Sequence, residues 1–538
     1  MKRLFLALTL VATAAMQAQT IEVLPATPAA QLVRSLTDGS TADIRNLYAP
    51  SGYQLVWTRN GQPTPQALAV VAQLEGAAVK GLVAADYDAG QWSTRLSTLR
   101  GDAALARFDV ALTTSVMRYA SHLRSGRVNP REVRFELTAD ANQIYLPAFV
   151  QQMTASADAA VLLASIEPQH DDYRRLLAAL AKYRRIAAEA KNETALPVIP
   201  KLAAGQTYEG LPQLAALLRR NGDLAADAVV EGNVYQGTIV AAVKSFQSRH
   251  GLDSDGVIGR TTFAQLNVPA AQRVQQIEWA IERWRWIPAQ LDGPAVIVNI
   301  PEFRLRARDG NGEELTMRVV VGKAAGHRTP VFDGNIKHVV FRPYWGVPPS
   351  IQRNEIAPKV AKDPGYLARN NYELVSASGK SLGSSVDADT LRGIRSGAIQ
   401  VRQKPGTANA LGLVKFLFPN DNNVYLHSTP QQALFARTRR DFSHGCIRVE
   451  DPVALAEWAL RGQSDWKKEK IESTIHGKRD DVYVKIERPI AVMILYATAV
   501  ADADGTVHFH EDIYGHDVQL AKVLAPQTRG AAVMLAAK

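Results

Sequence analysis

The hydrophobic pattern of this chain changes its period near residue 295. Before that point, apolar residues recur every three or four positions, as in residues 103–124 and 172–191. That spacing is typical of amphipathic helices. After it, apolar residues alternate with polar ones or run together, as in residues 296–300 and 317–321, which is typical of strands. The pattern predicts an α+β multidomain protein, helical in its N-terminal part and mainly β in its C-terminal part.

Proline-containing stretches divide the helical part into three segments. Residues 19–196 are predicted to form a helical scaffold domain, which ends where Pro197 opens a short polar stretch. Residues 197–268 contain three amphipathic helices and are predicted to form a small domain of their own. Residues 269–294 are predicted to be a linker helix that Pro288 stops.

Residues 295–538 are predicted to form one mainly β domain. Its strand pattern breaks at Pro348 and Pro349 and resumes near Gln400. The intervening residues, 349–400, are polar, contain Gly and Ser, and are partly helical in pattern. An insertion of this length inside a β domain is usually a lid or a disordered loop, and we expect it to cap the domain.

The first 18 residues have the pattern of an export signal. Lys2 and Arg3 precede a short apolar run, and Ala18 is a candidate cleavage position. The run is shorter than the roughly 20 residues that a membrane span needs. An uncleaved N-terminal anchor is the competing interpretation. We expect an exported protein.

Composition and charge narrow the class of partner. A hydrophobic share of 46% and a charged share of 21% are typical of globular proteins. The formal net charge of +10 favours partners that carry carboxylates or phosphates. The chain has no recognisable nucleic-acid-binding motif, so we expect no nucleic acid partner. An anionic wall polymer or a nearby membrane surface fits an exported protein, and a solvated basic face without function is the alternative.

Cys446, the single cysteine of the chain, is the main candidate for chemistry. A lone thiol has no internal partner for a disulfide. It follows Ser443, His444 and Gly445 in a predicted turn, and His427 lies nineteen positions upstream at the end of a predicted strand. A nearby base turns a thiol into a nucleophile. The alternative is a buried structural cysteine.

This arrangement predicts acyl transfer through a thioester. We assign His427 as the base for Cys446, with Ser428 or a nearby carbonyl orienting its imidazole. The backbone N–H groups of Gly445 and Cys446 are assigned to the oxyanion of a tetrahedral intermediate. His444 is expected to shape the site or to act on the oxyanion side.

Two further residues of this segment are candidates for substrate contacts. Arg448 is suited to bind a substrate carboxylate through two parallel hydrogen bonds. Its alternative is an ion pair with Glu450 or Asp451. Ser443 is assigned to the substrate-binding group, or else it stiffens the turn. No set of residues with metal-ligand spacing appears, and we expect neither a metal nor a cofactor.

The combination of His427, a fifteen-residue gap and the run from Ser443 to Cys446 resembles the catalytic signature of the L,D-transpeptidases, whose domain is called YkuD. Other segments look like the large periplasmic members from gram-negative bacteria, namely residues 283–286, 343–348, 402–406, 409–412 and 419–420. Trp345 in one of these segments and Tyr425 beside His427 are assigned to substrate binding. Residues 242–267 resemble the peptidoglycan-binding module of wall enzymes, and such modules either bind the wall or are only structural.

The resemblance implies a periplasmic enzyme acting on peptidoglycan. It would attack the bond between diaminopimelate and the terminal D-Ala of a tetrapeptide stem and keep the stem on Cys446 as a thioester. The side-chain amine of a second diaminopimelate would then form a 3→3 cross-link, and carbapenems would acylate the same sulfur. The large members commonly carry Asp after the first histidine, where this chain has Ser428.

Two alternatives stay open. The same acyl-enzyme could pass to water, which would make the protein an L,D-carboxypeptidase or hydrolase. The chain could also be a catalytically silent wall-binding scaffold. The sequence identifies no protein partner.

Overall fold

The computed structural model describes residues 27–138, 143–191, 194–291, 293–310 and 312–525. The predicted export signal, residues 1–18, lies outside these ranges. Among the described residues, no helix combines the length and the hydrophobicity that crossing a bilayer requires.

The N-terminal part is helical, as the period of its sequence predicts. The helices before residue 290 are α1 (Pro28–Thr37), α2 (Ala42–Tyr48), α3 (Pro65–Glu75), α4 (Trp92–Ser97), α5 (Gly101–Ser125), α6 (Leu146–Ala155), α7 (Ala159–Ser165), α8 (Asp171–Glu189), α9 (Leu211–Asn221), α10 (Thr238–Arg249), α11 (Arg260–Leu266) and α12 (Ala270–Trp284). The chain divides into two compact units, of which the first contains residues up to 74, 88–117 and 145–160. The second contains residues 75–87, 118–144 and those from 161 onward.

A buried carboxylate organises the first unit. Asp109 on α5 is fully buried and accepts hydrogen bonds from the Tyr48 hydroxyl at 2.7 Å and from the Val56 and Trp57 amides at 3.0 and 2.8 Å. Burial raises the pKa of Asp109 to about 6 despite these donors. The carboxylate therefore fixes a segment without regular structure to the side of a helix.

The segment predicted to be a small helical domain contains three helices with one core, and a further helix follows it. Helices α9, α10 and α11 share a core that includes Leu214, Ile239 and Phe263. The linker helix α12 ends at Trp284, four residues before Pro288, so the proline does not stop it. The chain tightens there, because the Arg285 and Trp286 amides donate to the Glu282 and Arg283 carbonyls, three residues back, both at 3.1 Å.

The C-terminal part is built on one large mixed sheet. The strands of the chain are β1 (Thr58–Arg59), β2 (Gln62–Pro63), β3 (Ala295–Asn299), β4 (Arg304–Asp309), β5 (Gly312–Gly322), β6 (Phe332–Phe341), β7 (Trp345–Gly346), β8 (Tyr372–Val375), β9 (Ser381–Gly383), β10 (Gln400–Gln403), β11 (Val414–Leu417), β12 (Leu426–His427), β13 (Asp441–Ser443), β14 (Ile447–Val449), β15 (Val482–Leu495), β16 (Ala499–Ala501) and β17 (Val507–Phe509). The large sheet has the order β13-β5-β14-β12-β11-β6-β15-β3-β4, and β4 also pairs with β5. Strand β12 runs parallel to β14 and antiparallel to β11. The remaining helices are α13 (Pro349–Ile351), α14 (Ala357–Lys362), α15 (Tyr366–Arg369), α16 (Ala388–Ser396), α17 (Pro452–Leu460), α18 (Lys468–Ile475) and α19 (His516–Leu524).

The insertion is an ordered subdomain, which we call the cap (residues 345–403). Strands β7, β10, β8 and β9 form its sheet in that order, and helices α13 to α16 lie between these strands in sequence. The cap has its own hydrophobic core, which includes Val347, Leu367 and Val401. It is therefore wider than the predicted 349–400, and the strand at Gln400 belongs to the cap instead of resuming the large sheet.

We predict that Asp109→Ala exposes the amides that this carboxylate binds. The substitution leaves the Val56 and Trp57 N–H groups without acceptors in the interior, where each unsatisfied donor costs roughly 1–3 kcal/mol. Hydrogen exchange at both amides, followed by mass spectrometry of peptides, should accelerate by at least about tenfold. Asp102→Ala, at an exposed position of the same helix, is the matched control. Unchanged protection in Asp109→Ala would contradict the assigned role.

Candidate active site

Three adjacent strands bring the predicted site residues to one face of the large sheet. The register places His427 opposite Arg448 on β14 and opposite Lys415 on β11. Tyr425 lies two positions before His427, and Cys446 lies two positions before Arg448. Side chains two positions apart along a strand point to the same face, so these side chains share one face of the sheet. Their sequence neighbours Val414, Leu426 and Ile447 are buried on the opposite, core side.

The cleft on this face holds all of the predicted site residues except Gly445 and Ser428. It lies between the large sheet and the cap and has a volume of about 800 Å³, which is within the usual range for ligand sites. Its lining includes Cys446, His427, His444, Trp345 and Lys415. Within the described residues, no group of three His, Cys, Asp or Glu side chains is placed to hold a metal ion.

The half-buried thiol of Cys446 contacts Tyr425 and Asn423. Its Sγ lies 3.7 Å from the Asn423 carbonyl oxygen. Burial raises the pKa of this thiol, while hydrogen bonds from the Tyr425 backbone and side chain and the charges of Lys415 and Arg448 act in the opposite direction. Burial prevails, so the resting site contains a neutral thiol.

His427 is buried and fixed in one orientation. Its Nδ1 lies 2.5 Å from the carbonyl oxygen of Ser428, and since a carbonyl only accepts, Nδ1 carries the proton. Burial, together with the charge of Arg448, lowers the pKa of His427 to about 3. The imidazole is therefore neutral, and its Nε2 carries no proton. The ring also makes a hydrogen bond with the backbone of Leu411. The Ser428 backbone provides the orienting contact, so the serine side chain in place of the family's Asp does not remove it.

The turn before Cys446 differs from the prediction. Gly445 has a φ of +116°, a conformation that favours glycine. Its N–H donates to Ser443 Oγ at 3.2 Å, and its carbonyl accepts from Thr329 Oγ1 at 2.7 Å. The Gly445 N–H is thus already used and is not available to an oxyanion. The backbone amide of Cys446 is left as the donor, since the described residues supply it with no acceptor.

Ser443 has a structural position. Its hydroxyl donates to the Cys446 carbonyl oxygen at 2.5 Å, and the residue is only 2% exposed. These contacts correct its assignment to the substrate-binding group and correspond to the alternative, in which Ser443 stiffens the turn.

His444 is bound by a residue of the cap that the sequence did not indicate. Its Nε2 lies 2.6 Å from Glu355 Oε1, and its ring lies 4.5 Å from the ring of His327. Glu355 belongs to a π-helical turn, Gln352–Ile356, between α13 and α14. Such turns are rare and are often found at functional sites. Local sequence patterns give no signal for this pairing, because 89 residues separate the partners.

Arg448 faces the cleft without an acidic partner. The predicted alternative, an ion pair with Glu450 or Asp451, does not form, because Glu450 pairs with Arg318 and Asp451 caps a helix. The Nη1 of Arg448 donates to the side-chain oxygen of Gln431 at 2.6 Å. Its Nε is buried and, in the described part of the chain, has no hydrogen-bond acceptor. The guanidinium is therefore available to an anion in the cleft.

Lys415 is a second cation of the cleft that the sequence did not identify as a site residue. Its Nζ lies 4.0 Å from the centre of the Tyr425 ring, a cation–π contact. Burial lowers the pKa of Lys415, and the charges of Cys446 and Asp481 oppose that effect. The Tyr425 side chain also makes hydrogen bonds with Trp345 and with Cys446. This tyrosine therefore contacts the lysine, the tryptophan and the sulfur. The one sequence feature that could have indicated this site residue is the position of a lysine between the buried residues of an apolar strand.

Comparisons with known families agree with this geometry. The family described as "L,D-transpeptidase catalytic domain" (YkuD) matches residues 293–478. The family described as "Putative peptidoglycan binding domain" matches residues 207–266, and a "Scaffold domain" family matches residues 42–180.

Individual proteins give a more limited likeness. A protein of Haemophilus influenzae named "Putative L,D-transpeptidase" is 32% identical over 248 residues, which are 46% of this chain and 49% of the relative. The chain thus spans about half the length of that curated relative. A solved L,D-transpeptidase from Stackebrandtia nassauensis has 13% identity and a TM-score of 0.21 over 56% of this chain and 97% of its own. Another, from Xylanimonas cellulosilytica, has 16% identity and a TM-score of 0.17 over 56% and 99%. Scores this low do not establish a shared arrangement.

The family matches cover both the cleft and the small helical domain, and the residues of the cleft suit acyl transfer. Residues 293–478 therefore match the L,D-transpeptidase (YkuD) catalytic-domain family, in a chain that also matches a scaffold-domain family and a peptidoglycan-binding family.

Proposed function

We propose that this protein is a cysteine L,D-transpeptidase that forms 3→3 cross-links in peptidoglycan through a thioester on Cys446. The observation that carries the proposal is the shared face of β11, β12 and β14, where the only thiol of the chain lines one cleft with a neutral, oriented imidazole and two cations. The catalytic-domain match makes transpeptidation the expected reaction. The cysteine mechanism and the cross-link type are the parts that we add.

Acylation begins from a neutral thiol and a neutral imidazole. Cys446 Sγ attacks the carbonyl carbon of the bond between diaminopimelate and D-Ala, and its proton passes to His427 Nε2. The Cys446 amide stabilises the resulting oxyanion. His427 then returns the proton to the leaving D-Ala amine, and the stem remains on the sulfur as a thioester. Because burial holds the pKa of His427 low, the imidazolium that forms is a strong acid and readily gives up the proton.

The charges of the cleft match a donor stem. A tetrapeptide stem carries free carboxylates, and Arg448 and Lys415 face the cleft without ion-pair partners among the described residues. A guanidinium binds a carboxylate through two parallel hydrogen bonds. We therefore assign Arg448 to a donor carboxylate, with Trp345 and Tyr425 as the apolar and hydroxyl surface beside it.

The proposed substrate also determines the proposed location. Peptidoglycan lies outside the cytoplasmic membrane, so we propose that the protein acts in the periplasm, whether its N-terminus is cleaved or retained in the inner membrane. The peptidoglycan-binding domain would hold the enzyme close to glycan strands. Hydrolysis of the same acyl-enzyme is the second candidate reaction, and a silent scaffold is disfavoured by the oriented imidazole that lines the same cleft as the thiol.

Carbapenem labelling tests the proposed nucleophile. We expect intact-protein mass spectrometry to show one covalent adduct per chain in the wild-type protein and none in Cys446→Ala, because the strained ring acylates the sulfur that attacks the stem. In Cys446→Ser, turnover of tetrapeptide stems should fall by roughly two orders of magnitude or more, because an alkoxide forms far less readily than a thiolate. An adduct on Cys446→Ala would exclude this sulfur as the nucleophile.

The pH profile of the thiol tests the role of Lys415. Because burial raises the pKa of Cys446, alkylation by iodoacetamide should reach half-maximal rate above the usual thiol value of about 8.5. Lys415→Met removes a positive charge that favours the thiolate and should raise that midpoint further. Lys415→Arg should keep the wild-type midpoint.

Lys485→Met is the matched control for this experiment. Lys485 is an exposed lysine on β15 of the same sheet, and its removal should leave the alkylation profile unchanged. An equal shift in Lys485→Met and Lys415→Met would show that only the net charge of the protein matters. The absence of any shift in Lys415→Met would remove Lys415 from the account of the site.

A further inference from the structure

The cleft separates its charges into two regions. Lys415 and Arg448 project from the large sheet, while Glu355 projects from the cap and is the only carboxylate in the described lining of the cleft. A transpeptidase must bind two stems that differ in the charge of the reacting group. The donor reacts at a neutral peptide carbonyl that is followed by the D-Ala carboxylate, whereas the acceptor reacts through a side-chain ammonium.

We propose that Glu355 and His444 form the subsite for the acceptor amine, with Glu355 binding the ammonium group and His444 taking a proton from it. This inference rests on the proposed transpeptidase function. Glu355 Oε1 lies 2.6 Å from His444 Nε2, which leaves the second carboxylate oxygen for a cation. The Glu355 side chain is 40% exposed, so the carboxylate is reachable from the cleft.

The hydrogen bond to Glu355 also determines the chemistry of His444. A carboxylate accepts, so Nε2 of the neutral imidazole carries the proton and Nδ1 is the nitrogen with a free lone pair. His444 lies two residues before Cys446 and lines the same cleft as His427. The exposed ring of His327 packs against His444. Acylation and transfer are thereby assigned to different histidines.

The transfer step balances in protons and bonds. The acceptor arrives as an ammonium group with three N–H protons, of which the first passes to His444 Nδ1. The resulting amine attacks the thioester carbonyl, so that an N–C bond forms and the C–S bond breaks. The second proton passes to the departing sulfur, which becomes the resting thiol again, and the third stays on the new amide. The proton on His444 is then released to water.

The cap holds Glu355 rigidly enough for this task. Gln352, in the same π-helical turn, is 3% exposed and donates to the carbonyls of Ile394 and Ile399 at 2.8 and 2.9 Å. Its side-chain oxygen accepts from the Val401 amide at 2.8 Å. The turn is thus fastened to the cap at three points, and the extra residue of a π turn re-aims the Glu355 side chain.

The test separates transfer from hydrolysis. Wild-type protein is incubated with a disaccharide tetrapeptide containing diaminopimelate, and cross-linked dimer and free tripeptide are quantified by liquid chromatography and mass spectrometry. In Glu355→Gln, the ratio of dimer to tripeptide should fall at least about tenfold, because the acceptor loses its counter-ion while water still reaches the thioester. Glu355→Asp should restore part of the ratio. Asp389→Asn neutralises an exposed acid elsewhere on the cap and should keep the wild-type ratio.

A wild-type ratio in Glu355→Gln would overturn the subsite while leaving the transpeptidase function in place. A wild-type protein that forms no dimer at all would overturn the proposed function instead. If Glu355→Gln forms no acyl-enzyme, the wild-type protein is given the tetrapeptide substrate together with a tripeptide stem whose side-chain amine is trimethylated. This stem has no D-Ala to lose and no N–H to react, so it can only compete at the acceptor subsite. That cation should suppress dimer and leave tripeptide release intact, and equal suppression of both products would contradict the subsite.

Discussion

The parallel pairing of β12 with β14 is the constraint on which the active site depends. It places His427 opposite Arg448 and brings Tyr425 beside Cys446, although about twenty residues separate each pair in sequence. The side-chain period of a strand is two, so a slip of one residue would turn the side chains that one strand contributes to the cleft into the core. Leu426 and Ile447 prevent such a slip, because both are completely buried between the site residues.

Burial determines the protonation state of the site at rest. It raises the pKa of the Cys446 thiol and lowers that of the His427 imidazole, so both partners rest neutral. An ion pair of thiolate and imidazolium at rest would have to overcome the desolvation of both charges. The hydrogen bonds of Tyr425 and the charges of Lys415 and Arg448 offset part of that cost. A neutral thiol also resists oxidation better than a thiolate, which matters for a sulfur that faces an open cleft.

The sequence predicted the features that local patterns encode. The change of period near residue 295 separated helices from strands, and the lone Cys446 with His427 upstream pointed to acyl transfer, which the family match supports. The domain boundaries and the roles of the site residues stay predictions. The assignment of the Gly445 amide failed because backbone hydrogen bonds in a turn depend on its three-dimensional path, and Ser443 folds back to accept from that amide.

The features that the sequence missed depend on tertiary contacts. The Lys415 side chain reaches the site only because β11 pairs with β12, and strand order is not encoded in the strand itself. The cap looked like a polar loop because its apolar residues are few and widely spaced. They form a core only when the strands at its two ends, β7 and β10, pair. Position 355 gave no helical or catalytic signal, since a π turn interrupts the ordinary helical period there.

An ordered cap can affect whether the proposed acyl-enzyme reacts with an amine or with water. In the proposed mechanism, transpeptidation and hydrolysis share Cys446, His427 and the thioester, so the residues that form the intermediate cannot decide between them. The decision belongs to groups that distinguish an ammonium-bearing stem from water. On the large-sheet side, the cleft presents cations, which repel an ammonium group. Selectivity for the amine therefore has to come from the opposite wall, and the cap is the part of the chain that contributes a carboxylate there.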